Sequence, residues 1–157
     1  MPERELYAPV RDWLRNELTR RLGRGSNIRT AVGADRHLCH VLEEWGVADA
    51  FYGSPTFEIR VDVVGCASAP RGRPLLFLVE VKYAPANLSA LAQLLGYCRI
   101  VRPEAAWLLS PKGWSRSLAR LVRDFGRADL LEFAQGKKIT VSKWDQSRAT
   151  VRAGDAP

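Results

Sequence analysis

The sequence predicts an α/β domain in which a central mixed β-sheet is flanked by layers of helices. Apolar stretches of helical period alternate with short β-branched runs, in the order helix, helix, hairpin, helix, strand, helix, strand. Two of the runs, residues 57–64 and 75–82, are apolar enough to be buried on both faces. No internal repeat, low-complexity tract or linker divides the 157 residues. One domain over residues 1–147 is therefore expected.

Residues 5–22 place Leu6, Val10, Trp13, Leu14, Leu18 and Leu22 at helical spacing, and Gly23 and Gly25 end that helix. Residues 36–45 read as a second, shorter helix stopped by Gly46. Residues 56–64 and 75–83 read as strands, joined by a turn-rich, partly basic segment from Gly65 to Pro74 into an antiparallel hairpin. Residues 88–101 form a helix with Leu88, Leu91, Leu95 and Cys98 inward, and residues 105–109 form a third strand. Residues 115–125 make a basic helix carrying Arg116, Arg120 and Arg123. Residues 130–134 and 139–144 suggest short final strands about Gly136-Lys137-Lys138. From Arg148 onward little is left to pack, so residues 148–157 are expected to fray.

A chain of this length buries a real core without disulfides. Its cysteines, Cys39, Cys66 and Cys98, are odd in number and lack any CxxC pair. That favours reduced thiols in a cytoplasm and argues against an iron–sulfur cluster, which takes four cysteine ligands. No apolar run approaches a membrane span, and the N-terminus has no signal-peptide core. Lys and Arg outnumber Asp and Glu, 24 to 17, with arginine in excess. Arginine suits bidentate phosphate recognition, and nucleic acid is the natural polyanionic partner. The excess is spread along the chain, which fits a basic groove better than a basic arm.

The two apolar runs carry charge where a buried strand should not. Asp62 lies in the first, Glu80 and Lys82 in the second. Burying an isolated charge costs several kcal/mol or more unless it is paired or bound to metal. Strand alternation points Glu80 and Lys82 the same way, about 7 Å apart. A hairpin register that sets Asp62 beside Glu80 brings two carboxylates and an ammonium together. The carboxylates would repel until one protonates or a hard cation such as Mg²⁺ joins them. The simpler alternative is ion pairing on a solvated strand face, Asp62 with Arg60 and Glu80 with Lys82. His37-Leu38-Cys39-His40 offers zinc-type ligands but no fourth at suitable spacing, and reads as ordinary helix sequence.

Asp62 after an apolar strand, with Glu80-Val81-Lys82 ending the next, resembles the motif of the PD-(D/E)XK nuclease superfamily. The 18 residues between the acids suit a hairpin, and the likeness spans residues 5–110 in element order. The proline of the motif is replaced by Val61. The resemblance implies a restriction-endonuclease-like three-layer domain and a Mg²⁺-dependent nuclease, with Mn²⁺ able to substitute. Asp62, Glu80 and the main-chain carbonyl of Val81 would bind the metal, with Glu5 of the first helix reaching back to it. Lys82 would orient or help deprotonate the attacking water. Gln93 matches a polar position that some branches use at the site, with Tyr97 as its partner.

Phosphodiester hydrolysis in nucleic acid, DNA foremost, is the activity expected. Arg71, Arg73, Lys112, Arg116 and Arg120 are the candidates to hold the backbone. A small catalytic domain without a recognition domain favours structure-selective cutting, and a homodimer would supply two sites for two strands. The competing readings are a non-catalytic nucleic-acid-binding module on the same fold and a metal-dependent phosphatase for small molecules. The basic composition and the missing Gly-rich phosphate loop weigh against the phosphatase.

Overall fold

A computed structural model describes residues 2–154 and 156–157. The chain begins with α1 (Pro2–Leu22), β1 (Asn27–Val32) and α2 (Leu38–Glu44). Two short 3₁₀ turns lead to β2 (Val63–Ser68) and β3 (Leu75–Val81). Then come α3 (Leu88–Val101), β4 (Ala105–Ser110) and α4 (Arg116–Arg123). The chain ends through β5 (Glu132–Ala134), β6 (Lys137–Lys138), β7 (Thr140–Asp145) and β8 (Thr150–Val151). Six strands form one mixed sheet in the order β1-β2-β3-β4-β7-β8, and β5 pairs with β6 apart from it. The pairs β1–β2, β2–β3 and β7–β8 are antiparallel, whereas β3–β4 and β4–β7 are parallel.

Side-chain alternation divides the core in two. Phe77, Val79 and Val81 of β3 pack with Leu6, Val10, Leu14 and Leu18 of α1. Leu76 and Leu78 pack on the other side with α2, α3 and α4. On the α1 side Trp13 meets Trp107 and Trp144 edge-on at 5.5 and 6.2 Å, a favoured aromatic geometry. Asn87 and Ser115 cap α3 and α4 by accepting from the Ala90 and Leu118 amides.

Four expectations need correction. The first hairpin strand begins at Val63, six residues after Phe57, because the backbone of residues 57–62 serves other partners. The Phe57 and Ile59 carbonyls accept from the Cys39 and Leu38 amides, and the Asp62 carbonyl from the Gly33 amide. That segment thus satisfies orphan amides at the start of α2 instead of a sheet ladder. Strand β1 was not anticipated at all. In α3 the buried stripe is Ala90, Leu91, Leu94, Cys98 and Val101; Leu88 is exposed and Leu95 partly so. The tail does not simply fray, since Thr150 and Val151 pair with Asp145 and Trp144.

Gly33 shows how tightly the 57–62 segment is held. A Cβ there would sit 2.5 Å from the Val61 carbonyl oxygen, which is backbone. At Gly65 it would meet only the side-chain tips of Leu18 and Leu14, at 2.9 and 3.0 Å. Gly33→Ala is expected to destabilise by about 1–3 kcal/mol in urea unfolding, the range for overpacking a full site. Gly65→Ala should cost less, because leucine tips rotate. Equal losses would mean that the segment carrying Asp62 shifts freely.

Candidate active site

Asp62 stands one residue before β2 and Glu80 one before the end of β3, at the same end of the sheet. The register that pairs Val63 with Val79 carries on to set the two acids side by side. Both are buried, Glu80 to 3% exposure. Asp62 Oδ2 accepts from the Val81 amide at 2.8 Å, a charge-assisted bond that fixes its carboxylate. Lys82 Nζ lies 3.4 Å from Glu80 Oε1. Glu80 Oε2 is buried and accepts from no donor among the described residues, so only a proton shared with Asp62 would pair it. A buried unpaired acceptor normally has an explanation, and a proton shared with Asp62 or a bound cation would each supply one.

The helix that opens the chain completes the cluster, with Glu3 in place of Glu5. Glu5 is exposed. Glu3 Oε2 accepts from the Tyr83 amide at 3.3 Å, and its Oε1 lies 4.0 Å from Lys82 Nζ. Tyr7 Oη donates to Glu3 Oε1 at 3.5 Å. Glu3 falls one helical turn before buried Tyr7 and three residues before Leu6, whereas Glu5 is out of phase with that face. The helical phase would have singled out Glu3.

Gln93 is exposed and donates to Tyr97 Oη at 2.9 Å, the expected pair; neither carboxylate is its partner. Lys112 follows β4 at the acidic end of the sheet, and its ammonium lies 5.0 Å from the Tyr83 ring centre. Ser110 ties the same corner together, donating to the Ala84 carbonyl and accepting from the Lys112 amide. Arg116 is exposed at the start of α4, which this corner leads into. Arg120 lies one turn on and faces Asp124 at 3.8 Å. Arg71 and Arg73 sit elsewhere. They occupy the β2–β3 turn, separated from Glu80 by the length of β3, about 20 Å. A groove of about 760 Å³ between α1 and the β7–β8 turn, lined by Asp12, Asn16, Glu17, Arg20 and Arg148, includes none of Glu3, Asp62 and Glu80.

Electrostatics follow from this burial. Burial first, then the Asp62 charge, push the Glu80 carboxyl up to about 8 against the pull of Lys82. Burial raises Asp62 as well, in spite of the Val81 amide and Lys82. Burial alone would lower Lys82, but Glu80, Glu3 and Asp62 outweigh it and hold the ammonium above its ordinary value. Without a cation the acid pair therefore keeps a proton on Glu80 near neutrality, and Lys82 stays charged. Two carboxylate donors, one with a free buried oxygen, match a hard divalent ion better than a soft one. The Val81 carbonyl is the adjacent main-chain oxygen.

Comparison with protein-family models, curated proteins and solved structures finds no match.

Folded Glu80 keeps its proton up to about pH 8, while the unfolded chain releases it near the ordinary glutamate value. Between those values the folded state binds more protons, so stability falls as pH rises through that window. Glu80→Gln removes this loss. In chelator, the melting temperature of the variant relative to the parent is expected to climb from about pH 5 and level off above about pH 8. A difference that stays flat across that range would place the proton elsewhere.

Proposed function

We propose that the chain is a metal-dependent nuclease of restriction-endonuclease-like architecture, hydrolysing phosphodiester bonds in nucleic acid, with DNA as the substrate. One observation carries the reading: Asp62 and Glu80 are buried side by side with Lys82 at one sheet end, and Glu80 Oε2 has no partner. The element order over residues 5–110 and the charge of +7 support the same reading.

Asp62 and Glu80 would hold Mg²⁺ or Mn²⁺, with the Val81 carbonyl beside them. When bound, the ion supplies a more acidic water and polarises the phosphoryl oxygens. The chain's own residues do the rest. The Val81 amide keeps the Asp62 carboxylate in place. Glu3 and Glu80 hold the Lys82 ammonium on either side. Surrounded by acids, the ammonium keeps its proton. That favours orienting the attacking water and offsetting phosphoryl charge over proton abstraction. Water oxygen attacks phosphorus and gives up a proton to solvent, the phosphorus–oxygen ester bond breaks, and the departing oxygen takes up a proton from solvent. Lys112 and Arg116, at the same sheet end, would hold the phosphate backbone. Arg71 and Arg73 are too distant to share that stretch. Gln93 with Tyr97, on α3, would contact the substrate strand and not the metal. A homodimer would provide a second site for double-strand cutting. Among the described residues no helix is long and apolar enough to cross a membrane.

Incubation with linear, single-stranded, flapped and four-way DNA should give shorter products with Mg²⁺ or Mn²⁺ and none with chelator. Asp62→Asn and Glu80→Gln should abolish cleavage in a folded protein. Lys82→Ala should lose most of the rate yet bind Mn²⁺ in calorimetry, because an ammonium is no ligand. Products in chelator, or from Asp62→Asn, would refute the site. Intact DNA that binds tightly under Mg²⁺ would make the chain a binding module instead.

Replacing Lys112 and Arg116 with Ala should weaken DNA binding and flatten its salt dependence by roughly 0.9 per lost phosphate contact on a log–log plot. Arg71→Ala with Arg73→Ala should leave cleavage at saturating DNA unchanged. The reverse pattern would route the substrate over the β2–β3 turn.

A further inference from the structure

We propose a second metal site, for a borderline-soft divalent ion such as Zn²⁺, at the start of α2 on His37, Cys39 and His40. The site is separate from the acid pair and does not depend on the nuclease reading. The ligand atoms of the three side chains all lie within 4.8 Å of one another. Zinc with nitrogen and sulfur ligands at about 2.0–2.3 Å needs ligand atoms about 3.5 Å apart. The remaining ångström is within reach of side-chain rotation, since His40 is 63% exposed.

The backbone beneath is already held. The Leu38 and Cys39 amides donate to the Ile59 and Phe57 carbonyls at 2.8 and 3.1 Å, and the His40 amide to the His37 carbonyl. His37 occupies the N-cap position in extended conformation, but its side chain makes no capping bond, so the imidazole is available. The two imidazoles lie nearly parallel, 12° apart, with centres 5.9 Å apart. Cys39 is a free thiol at 5% exposure, set in the core side of the cluster. Glu43, one turn on, has Oε2 3.8 Å from His40 Nδ1. A carboxylate at that place either fills the fourth position or orients the ring, as it does behind many metal-bound histidines. Spacing along the chain argued against zinc because no fourth ligand follows at the usual interval. In space, three ligands with a carboxylate or water are a sufficient set.

The donor chemistry sets the ion. One thiolate and two imidazoles select zinc or a similar late transition ion over Mg²⁺, which takes oxygen. Binding replaces the thiol proton and ties the first turn of α2 to itself. The segment hung on that turn, residues 57–62, ends at Asp62. The ion would thus be structural, and it would stabilise the folded state by mass action.

The test uses the full chain, reduced and stripped with chelator, titrated with Co²⁺ as a spectroscopic substitute for zinc. One equivalent should produce a sulfur-to-cobalt charge-transfer band and the intense visible bands of a four-coordinate ion, both removed by Zn²⁺. Cys39→Ala should lose the charge-transfer band. Asp62→Asn should keep it, which separates this site from the acid pair. His40→Ala changes an exposed residue and should fold; its Co²⁺ affinity should drop at least tenfold, the order seen when metal shells lose a member. No thiolate band in the parent, a band that survives Cys39→Ala, one that disappears in Asp62→Asn, or unchanged affinity in His40→Ala would each overturn the proposal.

Discussion

The 2.8 Å bond from the Val81 amide to Asp62 Oδ2 is the contact on which the candidate site depends. It joins the residue before β2 to the last residue of β3, across the open end of the hairpin. It also keeps one carboxylate fixed beside another that has no such partner. Two buried acids repel, and burial already disfavours each of them. A backbone amide cannot leave as a side chain can, so Asp62 stays where the repulsion is greatest. The cost falls on Glu80, whose carboxyl burial and the Asp62 charge push up to about 8. Lys82 offsets part of this charge but is shared with Glu3.

The rest of the fold makes that junction rigid. Val63, Val79 and Val81 are fully buried between the sheet and α1, while Leu78 and Leu108 fill the opposite side. Interiors packed to this density let side chains at a strand end vary little in position. The acids therefore inherit their separation from the hydrophobic register. A one-residue slip of β2 against β3 would turn the whole strand over and carry Asp62 away. Helix α1 contributes twice, through the core below and through Glu3 at its first turn.

Much of this was legible in the sequence, and the failures have physical causes. Helix α3, strands β3 and β4 and the antiparallel hairpin were readable because their apolar periods are long and uninterrupted. The acid–acid–lysine cluster was readable because charge inside an apolar run has few explanations. Residues 57–62 alternate like a strand, with Phe57 and Val61 buried. Alternation reports which side chains are inward, however, and not where the carbonyls go; these go to α2 and Gly33. Strand β1 was missed because Asn27-Ile28-Arg29-Thr30-Ala31-Val32 is a half-exposed edge with little apolar signal. Glu5 follows from the resemblance of the first helix, whereas the phase of Leu6, Tyr7 and Val10 turns Glu3 toward the sheet. Strand β8 is two residues long, below what any periodicity can reveal.

The 57–62 segment links features that otherwise look unrelated. Its first carbonyls cap the turn that carries His37, Cys39 and His40; its last residue is Asp62 and binds Gly33 through its own carbonyl. Along six residues the chain passes from contact with the turn that carries His37, Cys39 and His40 to the first of the two acids. Asp62 lies just outside the strands while Glu80 is within β3, and the segment's own carbonyls hold the α2 turn. An irregular stretch tolerates such demands because its carbonyls are not committed to a ladder. Had residues 57–62 formed the strand their alternation suggests, these carbonyls would have paired with a neighbouring strand. The first turn of α2 would then have lost its caps, and Asp62 would have sat within a strand with less freedom to face the Val81 amide. The β2–β3 register sets Asp62 opposite Glu80, and the end of the ladder at Val63 leaves its carboxylate to meet the Val81 amide.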